Sequence, residues 1–258
     1  QTGSGVNGLA VSGTVAYLAN DAATDQLQLV SIATPSSPNI IRSFHLEGSA
    51  QRALSIALSG SLVMLGTQRD AGPDLFLVDV SDPNSPRLLS SLEIGGDVNR
   101  ISILGNRAYL ATGNSAQEFI VVDIANPSVP AILAHVNLAG SESAATGLYI
   151  NSQDSRAYIT RQQDEDTSPE VNIYSIASPA APTLLGNMEF SEDIPAVLAA
   201  DTLLFLGTTV SNLEFQIFDV TNPASPVFYA GLNFPQVASD IAFENNTMYV
   251  AVRSNDAL

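Results

Sequence analysis

A repeated pair of prolines constrains the fold of this 258-residue chain more than any other feature of its sequence. In each of five segments, one proline is followed after two residues by a second. The five pairs are Pro35/Pro38, Pro83/Pro86, Pro127/Pro130, Pro179/Pro182 and Pro223/Pro226. The first prolines of successive pairs lie 48, 44, 52 and 44 residues apart. A self-similar unit of about 45 residues is typical of a repeat architecture.

Each repeat is predicted to form four short strands. In the second copy these strands are expected approximately at 53–58, 62–67, 75–80 and 87–93. Leucine, β-branched and aromatic residues dominate these runs, and helical spacing is lacking. Turn residues such as Ser59-Gly60 and Gly105-Asn106 separate the first two strands and suit the positive φ of a tight hairpin.

The third strand of each repeat is nearly continuously apolar, as in LFLVDV and FIVVDI. Such a strand has both faces covered by neighbours. Four antiparallel strands in about 45 residues are typical of a β-propeller blade. We therefore predict an all-β fold, a β-propeller of four-stranded antiparallel blades. A solenoid usually has shorter repeats, and a two-sheet sandwich would not need five near-copies.

We predict a single β-propeller domain over residues 1–258, with six visible blades of which the sixth is incomplete. The repeats extend approximately over 3–47, 48–94, 95–139, 140–190, 191–234 and 235–258. Because the pattern starts and stops inside a repeat, we expect the chain to be part of a longer polypeptide. We also expect six or more blades, the sixth being completed by further residues or by another chain.

Three aspartates share one position, four residues before the first proline of their copies. They are Asp79, Asp123 and Asp219, and serine replaces them at Ser31 and Ser175. Such side chains accept hydrogen bonds from turn amides, and proline ends strand pairing. We therefore assign a structural turn role to these aspartates and to their prolines. The prolines concerned are Pro83, Pro86, Pro127, Pro130, Pro223 and Pro226.

The segments FLVDVSDPNSP, FIVVDIANPSVP and FQIFDVTNPASP resemble the signature of the LVIVD-repeat family of bacterial and archaeal β-propellers. LQLVSIATPSSP and VNIYSIASPAAP depart from that signature by lacking the aspartate, which implies that their turns are held less firmly. The resemblance extends over essentially the whole chain. It implies the propeller fold and a surface-associated or secreted location, and it carries no catalytic residue with it.

The composition excludes several functional classes. Nine basic residues, all of them arginine, oppose 26 acidic ones, giving a formal net charge of -17. A surface of that sign repels phosphate backbones and anionic lipids, which argues against nucleic-acid partners. No apolar run approaches the roughly 20 residues of a membrane helix, so we expect no direct membrane insertion in this segment. The chain has no cysteine and two histidines, which removes thiolate chemistry and most zinc sites.

We predict no catalytic, cofactor-binding or metal site. His45 and His135 fall at polar, variable positions near fourth strands. The acidic loop 161–170 could hold a calcium ion, which takes six to eight oxygen ligands, although a solvated loop is the better interpretation. The weak calcium candidates are Asp164, Glu165, Asp166 and Glu170. Loops between second and third strands vary most, and we expect partner recognition there.

Our leading functional hypothesis is a non-enzymatic extracellular or cell-surface scaffold that mediates protein or glycan contacts, within a larger surface assembly. A propeller hydrolase or lactonase with a carboxylate or calcium site in the central channel stays open. So does a self-assembling structural subunit that uses the incomplete blade for strand exchange. The starts of the first strands offer a mixed set, Asn7, Arg52, Arg100 and Asp240, which favours the scaffold.

Overall fold

The structure, a computed structural model, describes residues 5–46, 51–140, 144–163 and 168–252. Within these ranges the chain forms 22 β-strands in six antiparallel sheets. Five sheets have four strands, and strands that are consecutive in sequence are neighbours in each sheet. The part of the chain that is described contains no helix long and apolar enough to span a membrane.

The first three sheets contain the strands β1 to β12. The first sheet consists of β1 (Val6–Ser12), β2 (Val15–Asn20), β3 (Leu27–Ser31) and β4 (Asn39–Phe44). The second consists of β5 (Ala53–Ser59), β6 (Leu62–Thr67), β7 (Leu75–Asp79) and β8 (Arg87–Leu92). The third consists of β9 (Val98–Leu104), β10 (Arg107–Thr112), β11 (Phe119–Asp123) and β12 (Ala131–Val136).

The remaining sheets contain β13 to β22. The fourth consists of β13 (Ala145–Asn151), β14 (Arg156–Arg161), β15 (Val171–Ser175) and β16 (Thr183–Met188). The fifth consists of β17 (Ala196–Ala200), β18 (Leu203–Gly207), β19 (Phe215–Asp219) and β20 (Val227–Leu232). Two strands, β21 (Ala238–Glu244) and β22 (Thr247–Val252), form the sixth sheet over the described residues. The predicted all-β fold, a β-propeller of four-stranded antiparallel blades, is confirmed.

Each hairpin between a first and a second strand turns through a residue with positive φ. Gly60 and Gly105 occupy this position at φ 59° and 58° in the second and third sheets. The sixth hairpin uses Asn245 and Asn246 at φ 49° and 61°. Glycine and asparagine tolerate this region, so the short turn signals in the sequence predict these hairpins correctly.

By its internal contacts the chain divides into two compact units. The first comprises residues 1–114 and 121–133, and the second comprises 115–120 and 134–258. In the first unit β5 contacts β1 and β9, and in the second unit β17 contacts β13 and β21. Adjacent sheets thus pack face to face within each unit. This packing buries the apolar residues of β7, Leu75 to Val78, on both faces.

Candidate functional site

In each of the five four-stranded sheets, one side chain at the base of the loop between the second and third strands ties that loop to the end of the fourth strand. It accepts a hydrogen bond from the backbone N–H of a residue 20 positions later in the sequence. We call these side chains latch residues: Gln26, Asp74, Glu118, Glu170 and Glu214. The donors are Leu46 at 3.1 Å, Ile94 at 3.3 Å, Leu138 at 3.0 Å, Phe190 at 2.7 Å and Phe234 at 2.9 Å.

The latch carboxyls of the second, third and fourth sheets are buried. Asp74, Glu118 and Glu170 are at most 1% exposed, and in each the second carboxyl oxygen has no hydrogen-bond partner. Burial raises the pKa of all three carboxyls above its ordinary value, and the neighbouring Glu93 raises that of Asp74 further. Glu214 differs, because backbone N–H groups, led by its own, lower its pKa.

A buried arginine accompanies the latches of the second unit. Arg161 is fully buried and donates hydrogen bonds to the carbonyls of Pro169 at 2.9 Å and Ala139 at 2.7 Å. Its charge favours the ionised forms of Glu118 and Glu170. Glu170, a calcium candidate from the sequence, is therefore a latch residue that lies near the positively charged side chain of Arg161.

The other three calcium candidates, Asp164, Glu165 and Asp166, lie outside the described residues. Among the residues that the structure does describe, no group of three or more His, Cys, Asp or Glu side chains could hold a metal ion.

The connections between sheets hold the same loops from the other side. Asp97, just before β9, accepts the backbone N–H of Arg69 in the loop of the preceding sheet at 2.7 Å. Asp193 before β17 accepts the N–H of Gln163 at 2.8 Å in the same way. Arg52 before β5 forms an ion pair with Asp21 at 3.1 Å. In the first, second and fourth sheets, latch and linker side chains thus fix both ends of the loop.

The predicted turn aspartates lie at the opposite end of the sheets. Each aspartate accepts a hydrogen bond from the backbone N–H two residues later. The donors are Ser81 for Asp79 at 2.9 Å, Ala125 for Asp123 at 2.9 Å and Thr221 for Asp219 at 2.8 Å. The bonds from Ser81 lower the pKa of Asp79, and those from Thr221 lower the pKa of Asp219. In the fourth sheet the hydroxyl of Ser175 accepts the N–H of Ala177 at a longer distance, 3.4 Å.

The first proline of each pair occupies the second position of a β-turn, which proline favours because its φ is fixed. Hydrogen bonds across three residues close these turns at Pro83, Pro127 and Pro223. The second prolines, Pro86, Pro130 and Pro226, directly precede the fourth strands.

Side chains before the first prolines reinforce the same turns, a role that the sequence reasoning missed. The side chain of Asp82 accepts the N–H of Asn84 at 3.0 Å, and that of Asn126 accepts the N–H of Ser128 at 3.2 Å. The signal available in the sequence was an aspartate or asparagine before the first proline in three copies.

Three of the side chains that the sequence singled out, His45, Asn7 and Arg100, have local polar contacts. His45 and His135 are exposed, and Nδ1 of His45 lies 3.1 Å from Oε1 of the latch residue Gln26. Asn7 donates to the carbonyl of Ala53 in the next sheet at 2.8 Å. Arg100 donates to the carbonyl of Asn99 at 3.0 Å.

The remaining first-strand candidate, Asp240, accepts a hydrogen bond from the backbone N–H of Ile241 at 2.9 Å. Like the contacts of Asn7 and Arg100, this one is made to the backbone of its own or an adjacent sheet.

Comparison with known sequences places three of the copies in one family. The LVIVD repeat matches residues 4–45, 50–93 and 95–137, which together make up half of the chain. No curated protein sequence matches the chain.

Comparison with solved structures shows the fold. A chain of the mitotic checkpoint complex matches with a TM-score of 0.75 and 9% identity, covering 98% of this chain and 73% of that one. A protein from Lactobacillus plantarum matches with a TM-score of 0.73 and 12% identity, covering 89% and 72%. The extracellular domain of a B. thetaiotaomicron protein assigned to the one-component systems matches at 0.64 and 11%. Although 96% of this chain is covered in that match, the chain spans only 31% of the domain.

Proposed function

The chain belongs to the LVIVD-repeat family, and we propose that it is a non-enzymatic scaffold of the cell surface or extracellular space. In this proposal it contacts proteins or glycans through the loops between its second and third strands. The supporting observation is that these loops vary in sequence while their bases are fixed by the same latch in all five complete sheets.

Fixed loop bases suit a binding surface for a thermodynamic reason. A loop that is already ordered at its base loses less conformational entropy when a partner binds. In the second sheet, for example, Asp74 anchors one end of loop 68–74 and Asp97 holds Arg69 near the other. The residues between these anchors can differ between copies without disturbing the sheets, as binding residues on a rigid scaffold do.

The acidic sequence and the comparisons support the location. A net charge of -17 and the lack of cysteine fit an extracellular setting. One structural neighbour is named as an extracellular domain. The polar candidates at the first-strand starts bond to nearby backbone or, in the case of Arg52, pair with Asp21, which favours the scaffold over a hydrolase or lactonase.

A loop-replacement experiment tests this function. Residues 69–72 and 115–117 are replaced by glycine and serine at equal length, while Asp74 and Glu118 are kept. The control replaces exposed polar residues of the proline turns at the other end, Ser81, Asn84 and Ser128. Binding to surface proteins and polysaccharides of the source cells is measured on arrays and by calorimetry.

We expect the loop variant to lose a partner that the control variant retains, with both melting as cooperatively as the wild type. Partner binding that disappears in the control but persists in the loop variant contradicts the proposed surface. Turnover of ester or lactone substrates above the buffer rate, abolished by a calcium chelator, refutes the non-enzymatic assignment.

A further inference from the structure

A cavity of about 290 Å³ lies between the first two sheets, at the end of β4 and the start of β8. Phe44, Pro86 and Leu88 form its apolar walls, and the basic side chains of His45 and Arg87 also line it. Phe44 and Leu88 are half-buried and pack against the hydrophobic core of these sheets, which holds the apolar walls in place. The cavity thus combines fixed apolar walls with two basic groups.

The repeat itself does not require this combination of side chains. In the other four complete copies, neither basic position is basic and the position of Phe44 is not aromatic. The counterparts of His45 are Glu93, Asn137, Glu189 and Asn233. The counterparts of Arg87 are Asn39, Ala131, Thr183 and Val227. The counterparts of Phe44 are Leu92, Val136, Met188 and Leu232. In a chain with nine basic and 26 acidic residues, two basic groups at one apolar cavity indicate a binding role.

The ion pair of Arg87 with the turn aspartate leaves hydrogen-bond donors for a ligand. Nη2 of Arg87 lies 3.4 Å from Oδ2 of Asp79, and the arginine side chain is 72% exposed. A guanidinium carries several N–H donors, so a second acceptor can bind beside Asp79. The turn does not need the arginine, because Asp219 forms the same turn bond in a copy that has Val227 at the position of Arg87.

The ring of His45 is oriented by the latch residue Gln26. Nδ1 of His45 lies 3.1 Å from Oε1 of Gln26, whose amide nitrogen donates to the carbonyls of Ala23 and Gln51. Because an amide oxygen only accepts, Nδ1 is the nitrogen that carries the proton. The second nitrogen, Nε2, donates to an anion when the ring is protonated.

We propose that this cavity binds a small aromatic carboxylate, at a site separate from the loops of the proposed function. The ring of the ligand packs against Phe44 and Leu88, since aromatic pairs gain more than their buried area alone provides. Its carboxylate accepts hydrogen bonds from the guanidinium of Arg87, which suits planar carboxylates, and from Nε2 of His45.

The cavity itself selects this class of ligand. Its volume lies just below the range of roughly 300–1,000 Å³ that holds drug-sized molecules, so it suits a single ring. The side chains of Phe44, Pro86 and Leu88 offer no hydrogen-bonding group to the hydroxyls of a sugar. The net charge of -17 repels polyanions, which favours a ligand with one negative charge.

The probe is phenylacetate, titrated into the full 258-residue chain by calorimetry and followed by amide chemical shifts in nuclear magnetic resonance. We expect saturable binding of one molecule per chain, with the shift changes centred on the amides of Phe44, His45 and Leu88. Phenylacetamide has the same ring without the charge, and it should bind at least about fivefold more weakly, the effect of one exposed charge pair. Glucuronate, which has the charge on a sugar ring, should also bind more weakly than phenylacetate.

Three protein variants test the lining. Arg87→Gln should weaken phenylacetate binding about fivefold, because it removes the donor of the charge pair. Arg100→Gln is the matched control: it removes the same charge from an exposed arginine that does not line the cavity, and it should bind like the wild type. Phe44→Leu introduces the residue that the second copy has at this position, Leu92, and should weaken binding about threefold with a cooperative melt.

Each of the remaining outcomes overturns the proposal. Equal binding of phenylacetate and phenylacetamide refutes recognition of the carboxylate. Equal weakening by Arg87→Gln and Arg100→Gln shows that only net charge matters. Tighter binding of glucuronate assigns the cavity to sugar acids instead, and absence of saturable binding leaves it without this ligand class. The loop variant described above should bind phenylacetate like the wild type, so this site and the proposed scaffold function can fail independently.

Discussion

The latch at Asp74 gives the sharpest prediction, because removing its acceptor and removing its charge should have different effects. Oδ2 of Asp74 accepts the N–H groups of Gly95 at 2.8 Å and Ile94 at 3.3 Å. Asp74→Ala leaves both donors without this acceptor, and one unsatisfied buried donor costs about 1–3 kcal/mol. Loss of a buried charge offsets part of that cost, so we expect a net destabilisation of about 1–3 kcal/mol.

Asp74→Asn retains an acceptor and removes the charge whose burial raises the carboxyl pKa. The first sheet already uses an amide at this position, since Gln26 accepts from Leu46 and donates to the carbonyls of Ala23 and Gln51. We therefore expect the asparagine variant to lie within about 1 kcal/mol of the wild type. The exposed Glu244→Gln is the control for lost negative charge.

Urea unfolding followed by far-ultraviolet circular dichroism measures the free energy of unfolding of these variants. At about 2–4 °C per kcal/mol, the alanine variant should also melt roughly 2–12 °C below the wild type. Hydrogen exchange at the Gly95 amide reports the latch directly, and it should accelerate in the alanine variant but not in the asparagine variant. Equal stability of the two variants, or an unchanged Gly95 amide in Asp74→Ala, would refute the reasoning.

Three further predictions follow from the same contacts. Burial raises the pKa of Asp74, Glu118 and Glu170. At a pH between the ordinary and the raised pKa values, the folded state therefore binds more protons than the unfolded state. The contribution of these groups to the free energy of unfolding consequently falls as the pH rises through this range. Asp219 has a lowered pKa, so its contribution to the free energy of unfolding should instead be lost as the pH falls through the pKa of the folded state. Unfolding is measured against pH for Asp219→Asn and for the triple variant Asp74→Asn/Glu118→Gln/Glu170→Gln. The two variants should deviate from the wild type in opposite directions. Gly186→Ala should destabilise by about 1–3 kcal/mol through overlap with Pro223, whereas Ser90→Ala, at the equivalent position, should cost about 0.5–1.5 kcal/mol for one hydrogen bond in thermal melts. Asp97→Ala should accelerate exchange of the Arg69 amide without changing that of Gln68, whose N–H is bonded to the carbonyl of Arg52.

The sequence was sufficient for the elements that depend on near neighbours. The four strands expected in the second copy differ from β5, β6, β7 and β8 by no more than one residue at either end. Apolar runs, hairpin residues with positive φ and prolines each act within a few positions of the chain. The turn aspartates were visible for the same reason, because Asp79 bonds a backbone amide two residues away.

The latch residues were not visible in this way. Their position holds Gln, Asp or Glu, so the residue type does not repeat, and their partner is a backbone N–H 20 residues later. In the sequence Glu170 was one acidic residue of a charged loop, and only its burial beside Arg161 distinguishes it. An acidic residue directly before the third strand in four copies was the available signal.

The sequence by itself determined the repeat, its strands and its turns, since these follow from the local chemistry of each segment. The tertiary structure decided which side chains bridge neighbouring sheets, such as Ser90 to Pro127 and Asp97 to Arg69. It also decided that Tyr249 of β22 is 58% exposed, whereas the equivalent Tyr17, Met64, Tyr109 and Tyr158 are at most 5% exposed. Burial and long-range hydrogen bonds depend on which segments meet in space, and the order of residues along one repeat does not specify that.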